Sequence, residues 1–402
     1  MITYLDRVSI SLVGVRIKQA FNLSNSQFGW VVGAFALSYA IFEIPSGMLG
    51  DRIGQRKVFI RIVLWWSVFT ALTGVAIGFV SLLFTRFLFG MGESGAYPTS
   101  TGTISRWFPA SETGRSMSSL FMGQFTGGAI APLIVVPIAI AFGWRAPFFV
   151  NGILGIIWVW ICYRWYRNEP GEMKGISHHE IQFIEKDRRF IRNNRHSFSW
   201  RMVFKNRTIQ VMVLSFFCSQ WALYFYVAWM PVYLQQGRHF SEHWMKLITS
   251  SLFILGIAGS WVSGFFCDWL ASKISLSFSR RLIGSAGLIL TAMSFLIAAS
   301  SPDQERVAVS LIAGCFFYAS FATIAFSTCV DIAGDSAGTV AGIMNFSGQV
   351  GAFFLAIAFG RIADLFHNFN TPILVIAGVV FIGGLNWVFV DPGNKIINGE
   401  GG

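Results

Sequence analysis

Apolar stretches of about 20 residues, the length a helix needs to cross a bilayer, recur along nearly the whole chain between short clusters of Gly, Pro and charge. Read against that punctuation, the pattern predicts helices near 1–21, 28–50, 57–79, 81–103, 114–141 and 145–166. A polar interval at 167–206 follows, and six more helices are predicted near 207–235, 244–271, 280–299, 305–329, 336–366 and 371–390. The expected organisation is a first six-helix bundle over 1–166, a basic linker over 167–206, a second bundle over 207–391 and a tail over 392–402. The fold class that follows is an all-α polytopic membrane protein with twelve transmembrane helices.

Composition agrees: 54% of the residues are hydrophobic and only 12% are charged, with 41 Phe and 15 Trp, against roughly a quarter charged in a soluble domain. A soluble globular protein is excluded. In a soluble chain the net charge of +11 would suggest nucleic acid, but here the cations sit mainly in connecting segments and read as topology signals. The strongest run is Arg164, Arg167, Lys174, Lys186, Arg188, Arg189, Arg192, Arg195, Arg201, Lys205 and Arg207. Arg52, Arg56, Lys57, Arg61, Arg106, Arg115, Lys273, Arg280, Arg281 and Lys395 fall on the same predicted side, which should be cytoplasmic. The other side receives only Arg16, Lys18, Arg145, Arg238, Lys246 and Arg306. A shift of one helix would scramble this separation, so both termini are expected inside. Cys162, Cys218, Cys267, Cys315 and Cys329 read as small core residues, and His239 and His243 lack further ligands for a metal. No metal, cofactor or nucleic-acid partner is expected, and no Ser/His/Asp or phosphate-loop arrangement points to an enzyme.

Two internal repeats support a duplication in the same orientation. Gly47-x-x-x-Asp51-Arg52-x-Gly54-x-Arg56-Lys57 after the second helix has a decayed copy in Gly264-x-x-x-Asp268 after the eighth, followed by Arg280 and Arg281. Gly123-Gln124-x-x-Gly127 in the fifth helix corresponds to Gly348-Gln349-x-Gly351 in the eleventh, at a similar interval. Parallel repeats with a site between them are an arrangement of secondary transporters. The first loop places an acid and several cations where Asp51 can face a helix N-terminus and the arginines can bridge to acids across the seam between the halves.

That loop, Gly47 to Lys57, resembles the signature of the major facilitator superfamily at every fixed position. Within it, Tyr4-Leu5-Asp6-Arg7 in the first helix, and Arg86, Gly90, Gly92, Glu93, Tyr97 and Pro98 in the fourth, are similar to the anion:cation symporter family, which includes bacterial galactonate, glucarate and hexuronate permeases. The similarity runs over essentially the whole chain. It implies proton-driven import of carboxylated sugars or related organic acids across the bacterial inner membrane, by a protein expected to be a monomer.

Asp6, Arg7, Arg86 and Glu93 all fall inside apolar stretches, where each charge costs roughly 2.5–3.5 kcal/mol on insertion scales. Arg86 and Glu93 are too far apart on their helix to pair, so Asp6 with Arg86 and Glu93 with Arg7 are the expected pairs of the empty state. Two acids and two arginines sum to zero. A bound monoanion would then leave an uncompensated charge unless an acid takes a proton. Arg7, whose fork suits a carboxylate, is assigned to the substrate, Asp6 and Glu93 to protons, and Arg86 to switching between the acids. Tyr4, Tyr39, Gln124, Gln220 and Asn345 are further substrate candidates, the last in the family-like stretch Gly342 to Phe346; Tyr224, Ser347 and Gln349 qualify by helix position, and Trp221 and Trp229 as an apolar sugar face. Gly47, Asp51, Arg52, Gly54, Arg56, Lys57 and Asp268 form the expected gating motif.

Three features depart from this pattern. Asp6 at the bilayer centre needs some ten preceding residues at 1.5 Å each and has five; the resembling permeases carry a further half-helix and basic tail there, so the first helix is expected to be short, with its true start upstream. The connection Asp331 to Asp335 has acids and no cation. Glu43, in the inner half of the second helix, reads as a gate hydrogen bond or an additional proton site. The alternatives to a symporter are an exchanger of phosphorylated metabolites, which would need arginines from both halves although the second offers only Arg361 within a span, and a transport-inactive sensor or truncated product.

Overall fold

The computed structural model describes residues 1–109, 112–173, 175–184, 206–333 and 337–393, and its regular elements are helical. The first half contains α1 (Ile2–Leu12), α2 (Gly14–Phe21), α3 (Asn25–Ile53), α4 (Gln55–Gly74), α5 (Phe79–Glu93), α6 (Ala96–Trp107), α7 (Thr113–Phe142) and α8 (Ala146–Trp165). The second contains α9 (Arg207–Gly237), α10 (Glu242–Lys273), α11 (Leu276–Ser300), α12 (Gln304–Ala333), α13 (Ala337–Phe366) and α14 (Asn370–Trp387). Among the described residues, 10 helices are individually long and apolar enough to cross a membrane. The pairs α1–α2 and α5–α6 each make one further crossing in two pieces, giving twelve.

Both interruptions correct the expectation of continuous first and fourth helices. Pro98 has no N–H to give the carbonyl of Ser94, and the path turns at Ser94 and Gly95, where a Cβ on Gly95 would lie 3.1 Å from Ile62. The first crossing breaks at Val13, beside Gly14, whose missing Cβ leaves room for Phe28 and Val232. In α9 the helix widens into π turns at Phe225–Trp229 and Tyr233–Gly237, on either side of Pro231, one of the ways a chain absorbs a proline mid-helix. Elsewhere the helices start where capping chemistry dictates: Ser24 Oγ accepts the Gln27 N–H at 3.1 Å while Gln27 Oε1 accepts the Ser24 N–H at 3.0 Å, a reciprocal cap. The outside of the bundle is apolar, with Phe84, Trp160, Phe265 and Leu365 exposed, as a lipid-facing surface requires.

The halves meet along α3 with α13 and α7 with α10. Close approach depends on glycine: a Cβ on Gly29 would lie 2.5 Å from the Ala356 carbonyl oxygen, and Gly360 packs on the Asn25 carbonyl. At the end away from the basic loops, charged and amide links cross the seam. Arg16 donates to both oxygens of Glu242 at 3.0 and 2.9 Å. Asp364 of α13 accepts the Asn25 and Ser26 backbone N–H groups at 3.1 and 2.7 Å, satisfying from the other half two donors that helix α3 leaves free. Lys18 donates to Gln236 at 2.6 Å.

At the basic end the seam is looser, and Gly338 and Gly342 have nothing within 4 Å of where a Cβ would stand. Here the expected gating motif is rearranged. Gly54 turns the chain with φ +90°. The Arg56 N–H donates to Asn168 Oδ1 at 2.9 Å and its guanidinium to the Tyr163 carbonyl at 2.6 Å, so this arginine ties the loop to its own half instead of bridging the seam. Gly47 packs on Pro98, Arg52 and Lys57 are exposed, and Asp268 is exposed with no ion pair among the described residues. The buried side chain in this loop is Gln55, seated against Gly50 and Gly102. In the second half Arg280 pairs with Asp331 at 2.8 Å, giving the cation-free connection its counterion from a neighbouring helix. The Asp51 side chain, Lys174, Asp335, Lys395, most of the expected linker (Lys186, Arg188, Arg189, Arg192, Arg195, Arg201 and Lys205 among it) and most of the tail lie outside the described residues.

Candidate functional site

Helices α1 and α5 carry the four intramembrane charges to one place. Arg7 Nε donates to Glu93 Oε1 at 2.5 Å. The Arg7 guanidinium is also boxed by aromatic rings, with centroids of Tyr39, Phe35 and Tyr4 at 4.8, 5.0 and 5.5 Å. Ring faces stabilise a cation without neutralising it, so Arg7 keeps donors for a further anion. Glu93 is fully buried, and its second oxygen, Oε2, has no hydrogen-bond partner.

The second expected pair is not formed. The Arg86 guanidinium lies over Phe89 at 4.4 Å and Phe35 at 5.3 Å, so the Phe35 ring stands near both arginines, and no acid lies within ion-pair distance of Arg86 among the described residues. Asp6 is 2% exposed, with neither carboxylate oxygen hydrogen-bonded. Asn151 of α8, which donates to Ser9 Oγ at 2.8 Å, stands beside it with a second amide N–H to offer. A buried carboxylate left in this condition costs stability. It is the kind of unsatisfied group that calls for a functional explanation.

Beside this network, between the halves, is a cavity of about 80 Å³. Arg7, Tyr4 and Tyr39 line it from the first half, with Gln124 from α7. Gln220 and Tyr224 come from α9, Tyr318 from α12, and Asn345 and Gln349 from α13. Of the expected substrate residues, Tyr4, Arg7, Tyr39, Gln124, Gln220 and Asn345 are thus brought together. Arg86 is not on the wall, nor are Asp6 and Glu93, which stand behind Arg7. Ser347 is turned away, donating to the Val213 carbonyl at 3.0 Å, and Trp229 is core, stacked on Phe359 at 4.5 Å with its N–H on the Ala356 carbonyl. Trp221 is not on the wall either.

Sequence reading missed Tyr318 and the aromatic floor. Tyr318 accepts from Gln220 Nε2 at 3.4 Å. Phe326 packs on Phe121 at 4.9 Å and Tyr97 at 6.5 Å, joining the halves beneath the cavity. A signal was present: Tyr318, Ala322 and Phe326 recur at i, i+4 and i+8 on one face of α12, and all three line the cavity. Tyr318 also stands in the second half about where Glu93 stands in the first, at an interval close to that from Gln124 to Gln349.

Among known proteins, the chain is 30% identical over 393 residues to a probable sulfoacetate transporter of Cupriavidus necator, covering 97% of this chain and 91% of that one. It is 30% identical over 398 residues to a probable L-galactonate transporter of Escherichia coli K12 (97% and 86%), and 29% identical over 401 residues to a hexuronate transporter of Bacillus subtilis (98% and 92%). Among solved structures, a bacterial homolog of the human lysosomal transporter Spinster has a TM-score of 0.76 at 17% identity, covering 97% of this chain and 94% of that one, a likeness of fold. The model of the Major Facilitator Superfamily matches residues 1–356. With twelve membrane-crossing helices, a cavity at the seam of two halves and a family match over most of its length, the chain belongs to the Major Facilitator Superfamily.

Proposed function

We propose that the protein is a proton-coupled symporter that takes up a small organic anion, a carboxylated sugar derivative such as an aldonate, uronate or aldarate, by alternating access. Its place is the bacterial inner membrane, with the basic end and both termini in the cytoplasm. The observation that carries the reading is Arg7: a cation facing a cavity whose other polar lining is phenols and amides, held from behind by the buried acid Glu93. An incoming carboxylate competes with Glu93 for the guanidinium. Once displaced, Glu93 is a lone charge in low dielectric with its second oxygen already unpartnered, and protonation is the inexpensive way to relieve it. Anion binding and proton uptake are thereby linked.

Asp6 supplies a second protonatable group, and Arg86, free of an ion pair among the described residues and within one ring of Arg7, is the cation to which a released carboxylate can turn. The amide and phenol wall suits hydroxyl groups. The similarity to carriers named for L-galactonate, hexuronates and sulfoacetate supports an organic anion as cargo. An exchanger of phosphorylated metabolites is disfavoured, because the second half contributes no cation to the described cavity wall and Arg361 is exposed.

The test is uptake into proteoliposomes with an internal pH dye, using aldonates, uronates, aldarates, sulfoacetate and phosphosugars. Proton movement that requires a carboxylated sugar supports the reading. Uptake without proton movement, or movement with phosphosugars alone, overturns it.

A further inference from the structure

One turn below the cavity centre, toward the basic end, Asn345 Nδ2 of α13 donates to Glu43 Oε1 of α3 at 2.5 Å. The contact crosses the seam. Glu43 is 6% exposed, is not on the cavity wall, and has its other oxygen, Oε2, buried without a partner. Asn345 is on the wall, and its Oδ1 makes no hydrogen bond among the described residues. Tyr39, one turn from Glu43 on the same face of α3, and Gln349, one turn from Asn345 on the same face of α13, line the cavity above it. Gln349 Oε1 is also buried without a hydrogen-bond partner.

In this contact the Glu43 oxygen accepts and the Asn345 amide donates, so the NH₂ is turned toward α3. The amide oxygen is then left as the group available to the cavity. With Gln349 Oε1 a turn away, α13 presents two acceptors and the opposite wall presents the Arg7 cation. A substrate matched to this arrangement has an anionic group at one end and hydroxyl donors at the other. An anion without hydroxyls leaves the acceptors unpaired, which is where discrimination between otherwise similar ligands is strongest.

Building on the proposed transport of carboxylated sugars, we infer that Glu43 is a positioning residue for substrate specificity: it fixes the Asn345 amide so that the cavity selects hydroxylated carboxylates. Glu43 touches no substrate in this role. It acts only through Asn345.

The experiment measures concentration-dependent uptake of D-galactonate, D-glucuronate and the hydroxyl-poor anions sulfoacetate and hexanoate by the full chain in proteoliposomes, for wild type, Glu43→Gln, Asn345→Ala and the double variant. A glutamine at 43 is nearly isosteric, but donates as well as accepts, so Asn345 is no longer held in one orientation. The expected result is a rise in KM of about ten-fold for the hydroxylated substrates, the size of one hydrogen bond. kcat should stay within about two-fold, with no change in KM for any hydroxyl-poor anion that is carried. In the Asn345→Ala background the second change should add nothing. Additive effects, an equal loss on all substrates, or loss of accumulation with exchange retained would overturn the inference, the last because Glu43 would then be carrying the proton. Wild type that carries none of the hydroxylated carboxylates would instead sink the transport reading, and this inference with it.

Discussion

The two halves repeat one plan but use it for different chemistry. In the first half, the helices facing the cavity bring in Arg7 and, behind it, Glu93, Asp6 and Arg86. In the second, the corresponding helices bring Tyr224, Gln220 and Tyr318. Where the first half makes a charged pair, Arg7 with Glu93 at 2.5 Å, the second makes a neutral one, Gln220 with Tyr318 at 3.4 Å. The basic loops diverge the other way. Arg56 is held by backbone and amide groups of its own half, whereas Arg280 is held by the acid Asp331. A repeated scaffold therefore supplies paired positions for a site at the seam, while at the cavity only the first half carries charge. Two buried charge networks facing each other would double the desolvation cost.

The largest test of that asymmetry is Arg7→Ala. It should abolish uptake and lower stability by about 3–5 kcal/mol, because Glu93 is left as a lone buried charge; a thermal melt in detergent and a transport assay read both, and a fully active variant would move the anion site elsewhere. Next is Glu93→Gln, which should abolish accumulation against a gradient while leaving exchange of labelled for unlabelled substrate intact. Asp6→Asn should separate stability from function. Removing an unpartnered buried carboxylate should leave the fold as stable or raise its stability by about 1–3 kcal/mol while impairing coupling, and a marked loss of stability would show that Asp6 has a structural partner. In the neutral half, Tyr318→Phe should raise KM no more than about ten-fold and leave proton coupling untouched. Loss of coupling there would break the distinction between the halves. The smallest effect is expected for Glu242→Gln: Arg16 and Glu242 are each about a third exposed, and such pairs contribute about 0.2–1 kcal/mol, so melting should shift little and less still in high salt.

Particular residues show why some of the site was legible and some was not. Asp6, Arg7, Arg86 and Glu93 stood out because charge inside an apolar stretch is costly enough to need a reason. Tyr39, Gln124 and Asn345 were recoverable as polar positions at mid-helix depth. Tyr318 was not singled out, since a tyrosine in an apolar helix is ordinary until its neighbours are known. Ser347 and Trp229 had the same sequence credentials as true wall residues, and only the rotation of α13 and the widened turns of α9 turn them away. Pairing was half legible: helix spacing forbade Arg86 from meeting Glu93, but it could not show that Phe35 and Phe89 would occupy the faces of Arg86.

By itself the sequence determined the membrane environment, the number of crossings, the two-bundle repeat and the four costly charges, because hydrophobic length and the cost of burying charge act on each segment without reference to its neighbours. Tertiary structure alone decided which charges pair, that Arg56 holds its own half, that Asp364 caps α3 across the seam, and that Glu43 grips Asn345. Those are contacts of angstrom scale between helices distant in sequence. They depend on how glycine-lined faces such as Gly29 and Gly360 let the helices approach and turn, a quantity that no local pattern encodes.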